Sequence, residues 1–248
     1  MLIKKLICVD IGNRNIKIGY FKSLKEKPQI EVDIKESSLE LIEKFLKKYK
    51  DSPIYAISVV PSIKEKIEEN FDVKFLTHKD FKEIKNPYRN KERLGIDRLV
   101  NVFGAINLFR QDVIVINFGT AITIDVAFKN GDFKGGLIIP SLETQIETLN
   151  KKTALINVNE IYKDLKLIGK STEECVNYGI KNVLIFGIKS ILNRLKTRYR
   201  SKNFKIILTG GGSENFKKFF KNSKHFPFLT LYALYIKFLK DENYNKLT

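Results

Sequence analysis

The sequence predicts an α/β fold made of one unit used twice. Three observations lead there. Strand-like and helix-like segments alternate along all 248 residues. The same order, three meandering strands, helix, strand, helix, occurs in each half. The halves also open alike: Val9-Asp10-Ile11-Gly12-Asn13 lies over Ile116-Asn117-Phe118-Gly119-Thr120, and each stretch ends a strand in a glycine turn before a second strand. The expected domains are residues 1–110 and 111–248.

In the first half, Leu6 to Ile11, Asn15 to Phe21 and Ile30 to Ile34 are rich in β-branched and aromatic residues, broken at Gly12-Asn13 and Lys27-Pro28. Ser37 followed by Glu40 has the spacing of a capping box, and Leu41, Ile42, Phe45, Leu46 and Tyr49 then keep one helical face apolar. Ile54 to Val60 reads as a buried strand stopped by Pro61, Ile63 to Phe71 as a helix and Val73 to Leu76 as a short strand. Residues 77–94 are polar and basic and read as a surface connection, after which Arg98 to Phe109 is helical. In the second half the strands are Val113 to Ile116, Ile122 to Phe128 and Phe133 to Ile139. Helices are expected from Leu142 to Asn150 and Thr172 to Arg198, a strand from Lys205 to Leu208, and helices near Asn215 to Phe220 and Leu229 to Leu239.

Composition narrows the function classes. Hydrophobic residues are 43% and charged residues 29%, which suits a folded globular chain rather than a disordered or fibrous one. The longest apolar runs are broken far short of the ~20 residues that cross a bilayer, and the N-terminal run before Asp10 is shorter than a secretory core. A cytoplasmic protein with no membrane partner is expected. The two cysteines, Cys8 and Cys175, have no metal or redox spacing and read as buried thiols. Two isolated histidines leave little room for zinc or Ser-His-Asp chemistry. The net charge of +17 is spread over nearly every segment, so it reads as a lysine-rich solvated surface without a specific nucleic-acid partner.

The chemistry lies in the turns. A strand, a small polar turn with glycine and a second strand present backbone N–H groups that suit phosphate oxygens. Gly12 and Gly119 allow close approach, Asp10 offers an oxygen to phosphate-bound Mg²⁺, and Asn13, Lys17 and Thr120 add an amide, a cation and a hydroxyl. Two such hairpins, one per half, could grip a polyphosphate from both sides. Thr209-Gly210-Gly211-Gly212-Ser213 follows a buried strand and is expected to precede a helix, a position where a flat ring or an anion meets bare backbone. Gly169-Lys170-Ser171 is not a P-loop, because Asp164 stands where the first glycine is required.

Six motifs in order, Asp10 to Asn15, Ser58 to Pro61, Gly95 to Arg98, Phe118 to Thr123, Gly135 to Pro140 and Thr209 to Gly211, make the chain resemble the type III pantothenate kinases from about Leu6 to Leu239. That resemblance implies two duplicated ribonuclease H-like domains with mixed sheets, the actin and sugar-kinase fold, holding ATP between them. It implies ATP-dependent phosphorylation of pantothenate, the first step toward coenzyme A, by a homodimer with Thr172 near the subunit boundary. Asp97 is then the base that takes the proton of the pantothenate alcohol. Tyr88, Gly95, Ile96, Arg98 and Thr172 bind that substrate, with Arg98 on its carboxylate. Asp10, Gly12, Asn13, Asn15, Lys17, Gly119, Thr120, Gly210 and Gly211 bind ATP. Asn117 stands where the family pattern has an Asp associated with K⁺ or NH₄⁺, which puts that cation site in doubt. Ile96, Ile122 and Ser141 depart from the pattern without removing a reacting group. The competing expectation is a non-catalytic relative that assists transcription.

Overall fold

The computed structural model describes residues 5–34, 38–49, 52–200 and 203–244; the cap expected at Ser37 lies outside them. The first half forms β1 (Leu6–Ile11), β2 (Asn15–Phe21), β3 (Gln29–Ile34), α1 (Ser38–Lys48), β4 (Ile54–Ser58), α2 (Pro61–Asn70), β5 (Lys74–Phe75) and α3 (Ile96–Phe109). The second forms β6 (Val113–Phe118), β7 (Ala121–Ala127), β8 (Phe133–Pro140), α4 (Leu142–Lys152), α5 (Thr172–Arg198), β9 (Lys205–Thr209), β10 (Ser223–His225) and α6 (Leu229–Tyr244).

Topology bears out the duplication. One sheet runs β3-β2-β1-β4-β5 and the other β8-β7-β6-β9-β10, so each strand of the first has a counterpart five places later. Both sheets are mixed. β1 is antiparallel to β2 and parallel to β4, and β6 is parallel to β9. The first strand of each copy is central, and its sequence says why: Leu6–Ile11 is buried throughout, as is Val113–Ile116, the near-continuous apolar run of a strand covered on both faces.

The chain divides into two compact units. The first contains residues 1–110, 125–135 and 228–248, and the second 111–124 and 136–227. In the first, Ile7, Val9, Ile18, Ile42 and Phe45 share one core, and α6 packs on α3 and β1. Thr230 donates to Asn101 at 2.9 Å in that contact, and Phe21 stacks on Tyr235. In the second, Ser141 and Ser171 cap α4 and α5, accepting from the N–H groups of Thr144 and Glu174. The segment before α5 is tied down by Asn177, which donates to the Glu160 carbonyl, and by Lys181, whose ammonium reaches the carbonyls of Tyr162 and Asp164. Burial, then the nearby Lys218, pulls the Lys181 pKa down.

Three expectations are corrected. Residues 77–94 are not merely a surface connection: Phe81, Ile84 and Leu94 are buried, and His78 Nε2 sits 2.6 Å from the Leu94 carbonyl oxygen. Cys8 is buried, which drives its thiol pKa up, but Cys175 is exposed because it lies on the outward side of α5. No α-helix spans Asn215 to Phe220; the chain makes short 3-10 turns at Gly211–Asn215 and Lys217–Phe219 and then β10. Helix α5 is long and apolar enough, by length and composition alone, to cross a bilayer, the only such helix among the described residues, but a core helix passes the same test. Its inner face, with Val176, Leu184, Ile185 and Ile188, is in the core of the second unit.

Candidate active site

In the first unit the β1–β2 register sets Asp10 opposite Lys17, and the ammonium reaches the Asp10 carboxylate at 3.3 Å. The Gly12 N–H donates to the Asn15 carbonyl at 3.0 Å and closes the turn, leaving Asn13 exposed and Asn15 half-buried. Asp10 itself is buried. Among the described residues no three His, Cys, Asp or Glu side chains converge on a metal position. A lone carboxylate suits Mg²⁺ that is held jointly with substrate phosphates.

Helix α3 begins beside these groups. Gly95 is its N-cap, Ile96 is buried, and Asp97 lies in the first turn, where free N–H groups and the helix dipole favour a carboxylate. The Asp97 carboxylate folds back over Gly95, where a Cβ would meet Oδ1 at 2.6 Å, so a side chain there would push the carboxylate aside. Burial nevertheless raises the Asp97 pKa from 3.8 to about 6, with the Asp10 charge as the second cause; Asp125 adds to it, and the Arg98 N–H and guanidinium oppose it. Protein surrounds this carboxyl while part of its surface still reaches solvent.

Arg98 is buried and does not pair with the Asp97 side chain. Its Nε and Nη2 donate to Asp125 Oδ1 at 2.9 and 2.5 Å, and its Nη1 donates to the Tyr88 hydroxyl at 2.9 Å. The Tyr88 and Phe133 rings lie 5.9 Å from the guanidinium carbon. These bonds outweigh the cost of burial and hold the Arg98 pKa above its usual value. Sequence reading missed Asp125. Its signal was an acid inside the apolar strand Ile122-Thr123-Ile124-Asp125-Val126-Ala127, since a buried charge requires a partner.

In the second unit the Gly119 N–H donates to the Ala121 carbonyl at 3.1 Å, and the Thr144 hydroxyl on α4 donates to the Thr120 carbonyl at 2.8 Å. The β6–β9 register sets Asn117 opposite Thr209. Gly210 has φ of 87°, and a Cβ there would stand 2.3 Å from Asn117 Oδ1 and 2.6 Å from the Phe118 carbonyl oxygen. Ser213 donates to the Gly210 carbonyl at 2.5 Å and lies 2.9 Å from His225 Nε2. With its hydroxyl fully buried, Ser213 fastens the loop and is not a nucleophile. Because a 3-10 turn follows Gly211, the expected helix N-terminus is absent there, and any anion would meet only loop N–H groups. Thr172 is the exposed first residue of α5, with Ser171 rather than Thr172 as the cap.

The first unit thus gathers Asp10, Lys17, Asp97, Arg98 and Tyr88, and the second gathers Asn117 and Gly210 beside the Gly119-Thr120 turn. Two copies of this sheet, each opening on a glycine turn at the end of its central strand, define the class of actin-like and sugar-kinase folds. Solved structures agree on the fold. A conserved Campylobacter jejuni protein assigned to the Baf family of transcriptional activators has a TM-score of 0.65 at 20% identity, covering 96% of this chain and 99% of that one. A Listeria monocytogenes protein assigned as an N-acetylmannosamine kinase has a TM-score of 0.54 at 13% identity, covering 96% and 99%. The family model for type III pantothenate kinase matches residues 6–194, and the chain belongs to that family. Type III pantothenate kinases from Sulfurihydrogenibium sp. (35% identical, 83% of this chain, 88% of the relative) and Flavobacterium johnsoniae (30%, 88% and 90%) are among its relatives.

Proposed function

We propose that this chain transfers the γ-phosphoryl group of ATP to the primary alcohol of pantothenate, giving 4′-phosphopantothenate. Family membership supports the reaction. The observation that carries it onto these residues is the Asp97 carboxyl, held at about 6 beside the arginine fork of Arg98. A base with that pKa is mostly ionised near neutral pH yet close enough to it to accept a proton.

In this reading Arg98, steadied by Tyr88, pairs with the pantothenate carboxylate, and Gly95 and Ile96 form the floor under the acceptor. Asp97 takes the hydroxyl proton as the oxygen attacks phosphorus. Backbone N–H groups of the Gly12-Asn13 and Gly119-Thr120 turns hold phosphate oxygens, with Asn15 supporting the first turn, while Lys17 offsets negative charge. Asp10 would hold Mg²⁺ through the phosphates, and that ion supplies charge neutralisation. Gly210 and Gly211 leave bare backbone for the nucleotide. Thr172 is a further acceptor contact implied by the family pattern. Asn117 offers a neutral oxygen where the family pattern has a carboxylate, so a K⁺ or NH₄⁺ ion is held less strongly and activity depends weakly on it.

We also propose a homodimer. The outward side of α5 carries exposed Val183 and Phe186, and Leu137, Ile138, Leu167 and Ile168 are exposed elsewhere in the same unit. Exposed large apolar residues leave water when a second copy covers them, which favours association. Sedimentation is expected to give twice the chain mass; a fully active monomer refutes the dimer. For the reaction, purified protein with ATP, Mg²⁺ and pantothenate is expected to yield ADP and 4′-phosphopantothenate in equal amounts. ATP turnover without that product refutes the assignment.

A further inference from the structure

We propose that Asp125 is a positioning residue for the acceptor: it fixes the plane of the Arg98 guanidinium so that the remaining N–H groups meet the substrate carboxylate. The proposal rests on the kinase reading above. Four observations lead to it, all within the first unit. Asp125 and Arg98 are both buried, at 1% and 4% exposure, so neither is held in place by solvent. One carboxylate oxygen accepts from both Nε and Nη2, which defines the plane of the guanidinium and its rotation within that plane. On the third corner Nη1 gives one N–H to Tyr88, itself a residue of the acceptor pocket in the reading above. The Tyr88 and Phe133 rings close on the guanidinium.

A guanidinium has five N–H donors, and this arrangement engages three. The other two, one each on Nη1 and Nη2, are directed by the fork and not by the flexible arginine stem. An arginine left to rotate would have to be ordered at each binding event, at a cost in affinity. Asp125 removes that cost beforehand. The strand supplying it is β7, whose later residues 125–127 belong to the first unit although its start belongs to the second.

The test uses pantothenate and pantothenyl alcohol, in which CH₂OH replaces the carboxylate. Wild-type protein is expected to prefer pantothenate in kcat/KM. Asp125→Asn keeps the shape but weakens both bonds from Arg98. It is expected to raise the pantothenate KM about tenfold, to leave kcat and the ATP KM within about threefold, and to erase most of the preference over the alcohol. A merely structural role would instead disturb ATP and the alcohol equally. Should the Asn variant not melt as a folded protein, Asp125→Glu retains the charge but displaces the oxygens by one methylene, and the same KM rise is expected. Wild-type protein that makes no phosphopantothenate refutes the kinase reading and the proposal with it. Wild-type protein that makes it but treats both acceptors alike leaves the reaction standing and refutes the pairing of Arg98 with the carboxylate, and so the role of Asp125. Wild-type protein that discriminates, alongside a folded Asn or Glu variant that discriminates equally well, refutes the role of Asp125 alone.

Discussion

The β1–β2 turn and the β6–β7 turn are two uses of the same piece of backbone. Each ends a central buried strand, and each is closed by a glycine N–H to a carbonyl two or three residues on. They differ in what stands two residues before the glycine. The first has Asp10, buried, bonded to Lys17 and close enough to Asp97 to help raise its pKa. The second has Asn117, neutral, pressed against Gly210. Duplication therefore preserved the backbone of the turn while the charges diverged. The charged copy belongs to the unit with Asp97 and Arg98, and the neutral copy to the unit with the glycine loop.

The largest expected effect lies in the charged copy. Asp97→Asn should lower turnover by ~10² or more, the usual scale for a lost general base, while both substrates still bind; near wild-type turnover would break the assignment. The same variant should be the more stable protein at pH 8. A carboxyl raised in the folded state from 3.8 to about 6 disfavours folding once ionised; its penalty is absent below about pH 4, grows through pH 6 and is constant above. At about 1.4 kcal/mol per pKa unit the gain in Asp97→Asn is at most about 3 kcal/mol, read by thermal melting at pH 4 and pH 8. Equal melting temperatures for the two proteins at pH 8 would mean that the carboxyl is not strained.

In the neutral copy the sensitive residue is a glycine. Gly210→Ala forces a side chain into a positive φ that is nearly reserved for glycine and into Asn117, which should cost about 1–3 kcal/mol or more in a melt. Gly12→Ala meets only the Asn15 carbonyl, at 3.1 Å and without positive φ, so its cost should stay within about 1 kcal/mol. Equal losses would break the contrast drawn between the turns. The smallest effect is expected from Asn117→Asp: replacing K⁺ by Na⁺ should alter wild-type activity little and the variant's activity a few-fold. Strict K⁺ dependence of the wild type, unchanged in the variant, would show that the charge at this position is immaterial.

Much of this contrast was legible in the residues. Leu6 to Ile11 and Thr172 to Arg198 announced themselves by apolar runs and by Gly12 and Ser171 at their ends. The duplicated turns were visible as text. Other features were hidden for physical reasons. Phe216, Phe219 and Phe220 have the i, i+3, i+4 spacing of a helix, but a 3-10 turn also places i and i+3 together, and a buried stack of Phe118 on Phe216 used that face instead. Ser223-Lys224-His225 has no apolar signature because β10 is a sheet edge. Cys175 was misjudged because an apolar helix face does not say whether the chain's own core covers it. Asp125 went unread because its partner lies 27 residues away in Arg98, a pairing that only the folded chain makes.

The most direct test of the central claim, that Asp97 is a burial-strained carboxylate poised to take the substrate's proton, is the pH dependence of kcat/KM for pantothenate in the wild-type enzyme at saturating ATP and Mg²⁺. Such a profile reports ionisations of the enzyme before pantothenate binds. The structure predicts that kcat/KM falls tenfold per unit as pH drops below about 6, through a single ionisation. A profile that stays flat down to pH 4.5, where an ordinary carboxylate would still be ionised, would contradict the claim.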